Sequence, residues 1–315
     1  MECAALSLLK TTVRDSTTGL FAHAVDPLAD TESYPGDPGL LGPDSVSWPV
    51  IGDVSAFFAG IRALLVQAAH PEVVAGVIDH SSFRDDTLGR LSRTSSWVTA
   101  TTYGAQPEVM GAVRAVTKAH GRVRGTSERG RPYNAASPEL AAWVHNALTD
   151  SFLVAYQYFG GRTLTADEAD RFVAEQSRIG ALLKAAPLPQ TAPDLQRWIV
   201  EHPDIEPTAA QRSAVEFIRN PPLPAGVLLG YRPLFAAAVA TLPPSLQRQL
   251  DLSPAPGAIA AGRVAASFLR WSLGTSPSWH RAEGRALASA APAGSASHEA
   301  STGGGAARDA AVSAA

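Results

Sequence analysis

Cysteine is almost missing from this chain of 315 residues, and Cys3 is the only one. A single thiol cannot close an intrachain disulfide, and thiolate metal clusters are excluded with it. Neither sign of charge is in excess. Twenty-six Lys and Arg stand against 29 Asp and Glu, a formal charge of −3. The chain therefore lacks a basic footprint, and no nucleic-acid partner is expected. It also lacks any run of 18 or more apolar residues, so no transmembrane span and no stable membrane insertion are expected. The opening MECAALSLLKTTVRDS is weakly apolar, but Glu2 and the shortness of the run do not fit a signal peptide. These absences lead to the expectation of a soluble, cytoplasmic protein.

Several catalytic signatures are missing too. GVLLGYRP and GGRTL carry glycines, but neither follows a strand, which disfavours a nucleotide-binding loop. There is no G-x-S-x-G elbow, no H-E-x-x-H or H-x-x-x-H zinc spacing, and no pair of Glu-x-x-His repeats for a di-metal bundle. Nucleophilic hydrolysis and nucleotide chemistry are disfavoured accordingly.

What is present is globular composition, 45% hydrophobic and 17% charged, with helical periodicity through most of the chain. Residues 1–30 show no clear pattern, and 31–50 are a loop dense in Pro, Gly, Asp and Ser. From Asp53, apolar residues Val54, Phe57, Phe58, Ile61, Leu64, Leu65 and Ala68 recur at helical spacing. Pro71 fits the first turn of a second helix. A third is predicted over Thr87–Thr102 and a fourth from Pro107 to about Arg124. Ser137 and Pro138 read as N-cap and first position of a long helix reaching Phe159. Thr165 and Glu168 form a capping-box start for a helix ending near Ala185. Further helices are expected at 192–201, 208–219, 225–241, 243–250 and 255–273. Strand alternation is nearly absent and no repeat is visible. The fold class is therefore all-α, a single multi-helix domain. Its expected organisation is an N-terminal extension over 1–37, a helical domain over 38–280, and an Ala/Gly/Ser-rich tail over 281–315 that reads as disordered.

Four histidines fall in the helical region. His120 shares a face with Val109, Val113, Val116 and Val123, and His145 shares one with Ala141, Leu148 and Phe152. Each is either a satisfied core residue or a ligand. His70, before Pro71, reads as a C-cap interacting with the helix dipole, and His80 as a surface turn residue. In GRLSRTSSWV, Arg90 and Arg93 are three apart and so neighbours on one helix face, with Thr94 beside them. They form either an exposed turn or an anion-gripping site. Glu72, Glu108, Glu139 and Glu168 lie near helix starts, where the dipole accounts for them. Arg122 and Arg124 read as helix C-terminal charges or as carboxylate partners. Trp97, Tyr103, Trp143 and Tyr156 suit either a pocket wall or ordinary core. Among the readings left open, inward imidazoles, apolar walls and an arginine pair are what haem binding requires.

Three separated blocks carry a resemblance. FFAGIRALLVQAAHPEVVAGVIDHSSFRDDTLGRLSRT, AVTKAHGRVRG and YNAASPELAAWVHNALTDSFLVAY resemble the MpaB-type oxygenase family, to which the latex clearing proteins (rubber oxygenases) are related, over about residues 38–240. The resemblance implies a globin-like helical core enclosing haem b, and oxygenase activity on a small apolar or aromatic substrate, in a setting such as natural-product biosynthesis. Dioxygen or peroxide would react at a five-coordinate iron. Arg90, Arg93 and Thr94 match the distal Arg-x-x-Lys-Thr motif of the rubber oxygenases, with Arg replacing Lys. His120 matches the proximal ligand of the iron, and His145 is the fallback ligand or a partner near the haem. Arg90 and Arg124 would meet the propionates. Two departures stand out: Ser92 occupies a position where the family often has Trp, and the distal glutamate of the rubber oxygenases has no clear match. Glu72, Asp79 and His80 lie in that region. Arg93 cannot serve as a base, because guanidinium stays protonated. The twin-arginine signal of the secreted rubber oxygenases is not found, so polymer cleavage outside the cell is not expected. A haem- or lipid-binding helical module without turnover is the alternative reading.

Overall fold

A computed structural model describes residues 2–21, 23–80 and 86–288. The segment SSFRD of the first block and the tail from 289 onward lie outside the described residues. Fourteen α-helices and one short hairpin make up the described chain. The helices begin with α1 (Glu2–Phe21), α2 (Ser47–Gly52), α3 (Ala56–Ala68), α4 (Pro71–His80), α5 (Thr87–Tyr103) and α6 (Gln106–His120). Strands β1 (Arg124–Thr126) and β2 (Pro132–Asn134) pair antiparallel, Arg124 opposite Asn134. Next come α7 (Pro138–Phe159), α8 (Ala166–Leu182), α9 (Ala192–Val200), α10 (Ala209–Arg219) and α11 (Ala225–Ala240). The series closes with α12 (Pro244–Gln249), α13 (Ala258–Leu273) and α14 (Pro277–Leu287). The expected all-α architecture is what the chain adopts.

Helices α3 and α7 form the spine of the core. Phe58 stacks on Phe159 with ring centroids 4.4 Å apart, and Leu65, Val66, Trp143 and Ala147 are buried around them. Inside this apolar layer Arg62 is 1% exposed and ion-paired to Asp150 at 2.6 Å. Its Nη1 also donates to Ser151 Oγ at 2.9 Å. A buried charge of this kind is tolerated only with such partners. Helix α13 closes tightly on α11 and α7, since a Cβ on Gly262 would stand 2.7 Å from both Ala237 Cβ and Phe159 Cε1.

The capping signals act where the sequence places them. Ser137 Oγ accepts from Leu140 N. Thr165 and Glu168 bond reciprocally at the start of α8. Two boundaries differ from expectation. The fourth predicted helix stops at His120, and residues 124–126 turn into β1 instead of extending it. The helical unit also reaches past 37 and 280 at both ends. Leu28 and Ala282 are buried against Trp48 and Tyr103. Arg285 is buried as well, donating to Thr31 Oγ1, Tyr103 O and Asp37 O. No single described helix is long and apolar enough to cross a membrane, and α3 with α4, which together reach that length, are bent by 106° at their junction.

Candidate functional site

Helix α4 packs against strand β1, and α5 packs against α6. His80 is the last residue of α4, and Asp86 caps α5, accepting from Gly89 N at 3.0 Å. A two-residue connection after Tyr103 returns the chain through α6. Arg90 lies 13 residues before the end of α5 and His120 lies 14 residues after the start of α6.

Their individual states differ. Arg93 and Thr94 are exposed; Arg93 Nη1 pairs with Asp86 Oδ2 at 3.0 Å, and Thr94 Oγ1 donates to Arg90 O at 3.2 Å. Arg90 is half-buried. Burial, and then the neighbouring Arg93, lower the pKa of its guanidinium, so it is a poorly hydrated cation. His120 is half-buried, and burial lowers its pKa, which leaves the imidazole neutral at neutral pH. A neutral ring is the form that ligates a metal. Arg124 is exposed on β1, and its carbonyl accepts from His80 Nε2 at 2.9 Å. Beside it, Tyr133 donates to Asp79 Oδ2, and burial followed by that carboxylate pushes the phenol up to about 12. A neutral imidazole and a half-buried guanidinium are the kinds of group that a haem iron and a propionate accept. The residues present fit the group.

His145 occupies a different environment. It is buried in the middle of α7, its Nε2 within 3.4 Å of Thr149 Oγ1, and it bonds to the backbone of Gln176 on α8. A Cβ on Gly180 of α8 would stand 2.7 Å from its Cδ2, so glycine is what lets the ring fit between the helices. Burial pushes its pKa down to about 4. This is a neutral, internally bonded ring with α8 packed directly upon it.

Three of the four aromatics are core. Tyr103 is buried and donates to Trp48 O at 2.7 Å, Trp143 is buried and donates to Gln67 O at 3.3 Å, and Tyr156 is buried in the main cluster. Trp97 is half-buried.

A cleft of about 870 Å³ is lined in part by His70, Glu72, Tyr133, Trp198, His202 and Asp204. Arg90, Arg93, Thr94, His120, Arg124 and His145 do not line it. His70 is buried and not an exposed helix cap, and burial pushes its pKa down to about 4 against the pull of Glu72. Glu72 accepts from Ser127 Oγ and from Arg129. It is therefore a bound carboxylate and more than a dipole partner. His202 lies in the turn after α9, its ring 4.8 Å from Trp143 and 5.4 Å from His70. Sequence reasoning passed over His202, because a histidine in a Pro-containing turn sits on no apolar face. Only the His-x-Asp spacing of His202 and Asp204 was there to be seen.

The fold and these clusters describe a helical protein whose buried imidazoles and paired cations suit a redox cofactor or metal. The catalytic domain described as ER-bound oxygenase mpaB/B′/rubber oxygenase matches residues 48–271. The chain belongs to this family and is an oxygenase, an oxidoreductase enzyme. No curated protein and no solved structure matches it.

Proposed function

We infer that the enzyme is a haem b-dependent oxygenase acting on a small apolar or aromatic substrate, with dioxygen or peroxide as oxidant. The observation that supports this reading is the half-buried His120 at the end of α6, kept neutral by burial, on the helix that follows the Arg90-bearing α5. His120 would hold the iron through one ring nitrogen, and the other N–H calls for an acceptor that fixes the tautomer. His145, clasped by α8, is not the residue that supplies the ligand in this reading. Arg90 would hold a propionate, where a poorly hydrated guanidinium gains most from a bidentate contact, and Arg124 supplies a second cation on the same side. When bound, the haem supplies the redox chemistry toward the oxidant.

The chain's own groups divide the remaining work. Arg93 offers only hydrogen-bond donors, and Asp86 anchors it at the first turn of α5. Thr94 carries a hydroxyl one residue further along. His80 and the Asp79–Tyr133 pair at the end of α4 are the nearby groups able to move a proton. The test is an absorption spectrum of the purified protein joined to oxygen consumption. A Soret band with uptake of dioxygen dependent on an apolar substrate is the expected result. No Soret band after expression with sufficient haem would overturn the cofactor assignment. A band without turnover under dioxygen or peroxide would leave a carrier and sink the oxygenase chemistry.

A further inference from the structure

The cleft holds a second cluster that the haem reading leaves unused. One ligand atom each of His70, His202 and Asp204 lies within 4.8 Å of the others. A metal with nitrogen and oxygen ligands at about 2.0–2.2 Å sets its donors up to roughly 4 Å apart, so a small rotation of the two half-buried groups brings them to coordinating distance. His70 Nδ1 is buried with no hydrogen-bond partner, 3.4 Å from Glu72 Oε2. With Nδ1 enclosed beside a carboxylate, the other ring nitrogen is the one left for the cleft. Metal-binding histidines are commonly oriented this way, their second nitrogen against a carboxylate. Glu72 is itself fixed by Ser127 and Arg129.

The electrostatics of the cleft favour a cation. Glu72, Glu139, Asp194, Glu201 and Asp204 line it against two guanidiniums, Arg131 and Arg197. Arg131 engages Asp204 through Oδ1 at 2.6 Å, and Oδ2 remains for an ion. His202 Nδ1 accepts from Asp204 N at 3.3 Å. Coordination through Nε2 would shift the ring proton to Nδ1 and end that contact, a small loss for a bond already long.

We propose that His70, His202 and Asp204 form a binding site for a divalent first-row transition metal, with its remaining coordination positions open to the cleft. Two imidazoles and one carboxylate leave room for water or a substrate, the arrangement used by catalytic zinc and non-haem iron(II). The site is separate from the His120 cluster and stands whether or not the haem reading does.

The test is equilibrium dialysis of the full-length protein, as purified, against Zn²⁺ and, anaerobically, Fe²⁺, with bound metal counted by mass spectrometry. One ion per chain is expected in the parent protein and in His120→Ala. His202→Ala and Asp204→Asn, both at half-exposed positions and each checked for folding by circular dichroism, are each expected to weaken binding at least 100-fold. Both variants should keep any haem absorption unchanged. Binding of less than a tenth of an equivalent by the parent protein overturns the proposal. So does undiminished binding in both variants, which would place the ion elsewhere.

Discussion

At the scale of single residues, the buried charges and imidazoles carry the sharpest consequences. Arg62 and Asp150 lie 2.6 Å apart with side chains almost wholly buried. Removing one partner strands the other charge in an apolar layer, at about 3–5 kcal/mol. Asp150→Ala should therefore lower the unfolding free energy by that amount in urea denaturation, and a loss under about 1 kcal/mol would contradict the assignment. His145 gives a pH dependence with a definite sign. Its pKa is about 4 in the folded protein against about 6.5 in an unfolded chain. Between these values the unfolded state binds more protons, so stability falls as pH drops from about 6.5 to about 4 and then levels off. The full effect is on the order of 3 kcal/mol. His70 titrates over the same range. Unfolding measured across this window should thus be less pH-dependent in His145→Asn, the remaining slope coming from His70 and the other histidines whose pKa burial lowers, His120 and His202. An unchanged slope would place His145 outside the core.

At the scale of elements, legibility in the sequence follows where the stabilising partners lie. Helices α3 to α13 announce themselves through local signals: periodic apolar faces, Pro71 and Pro138 in first turns, and the Thr165–Glu168 box. Helix α2 carries no such signal, because its N-cap residue is Val46. Its capping group is Glu175 of α8, which accepts from Val46 N, Ser47 N and Ser47 Oγ at 2.8–3.1 Å. A cap supplied from 129 residues away cannot be read from spacing. Glu175→Ala leaves three donors to be satisfied and should cost roughly 1–3 kcal/mol. Thr165→Ala, which removes an ordinary local cap, should cost about 1 kcal/mol. Thermal unfolding of the two variants tests that order, and an equal or reversed ranking would refute it. The end of α6 was misjudged for a related reason. Val123 continues the apolar face past His120, yet Gly121 and the pairing of Arg124 with Asn134 end the helix. The candidate site divides the same way. Arg90, Arg93, Thr94 and His120 were found through motif and face, whereas His202 joins His70 only through tertiary packing of a turn.

At the scale of the whole molecule, the chain is an all-α oxygenase in which residues 28–37 pack against α14. Leu28, Ala282 and the buried Arg285 tie the N-terminal loop to α14 around Tyr103. Helices α5 and α6, which carry Arg90 and His120, meet at this tie. The central claim is that His120, and not His145, holds the iron. It is tested most directly by the haem content of matched His120→Ala and His145→Ala variants, read as pyridine haemochrome per folded chain, with and without added imidazole. His120→Ala should lose most of its haem and recover absorption when imidazole is supplied. His145→Ala should retain haem with lowered stability. Full haem retention in His120→Ala with loss in His145→Ala would contradict it.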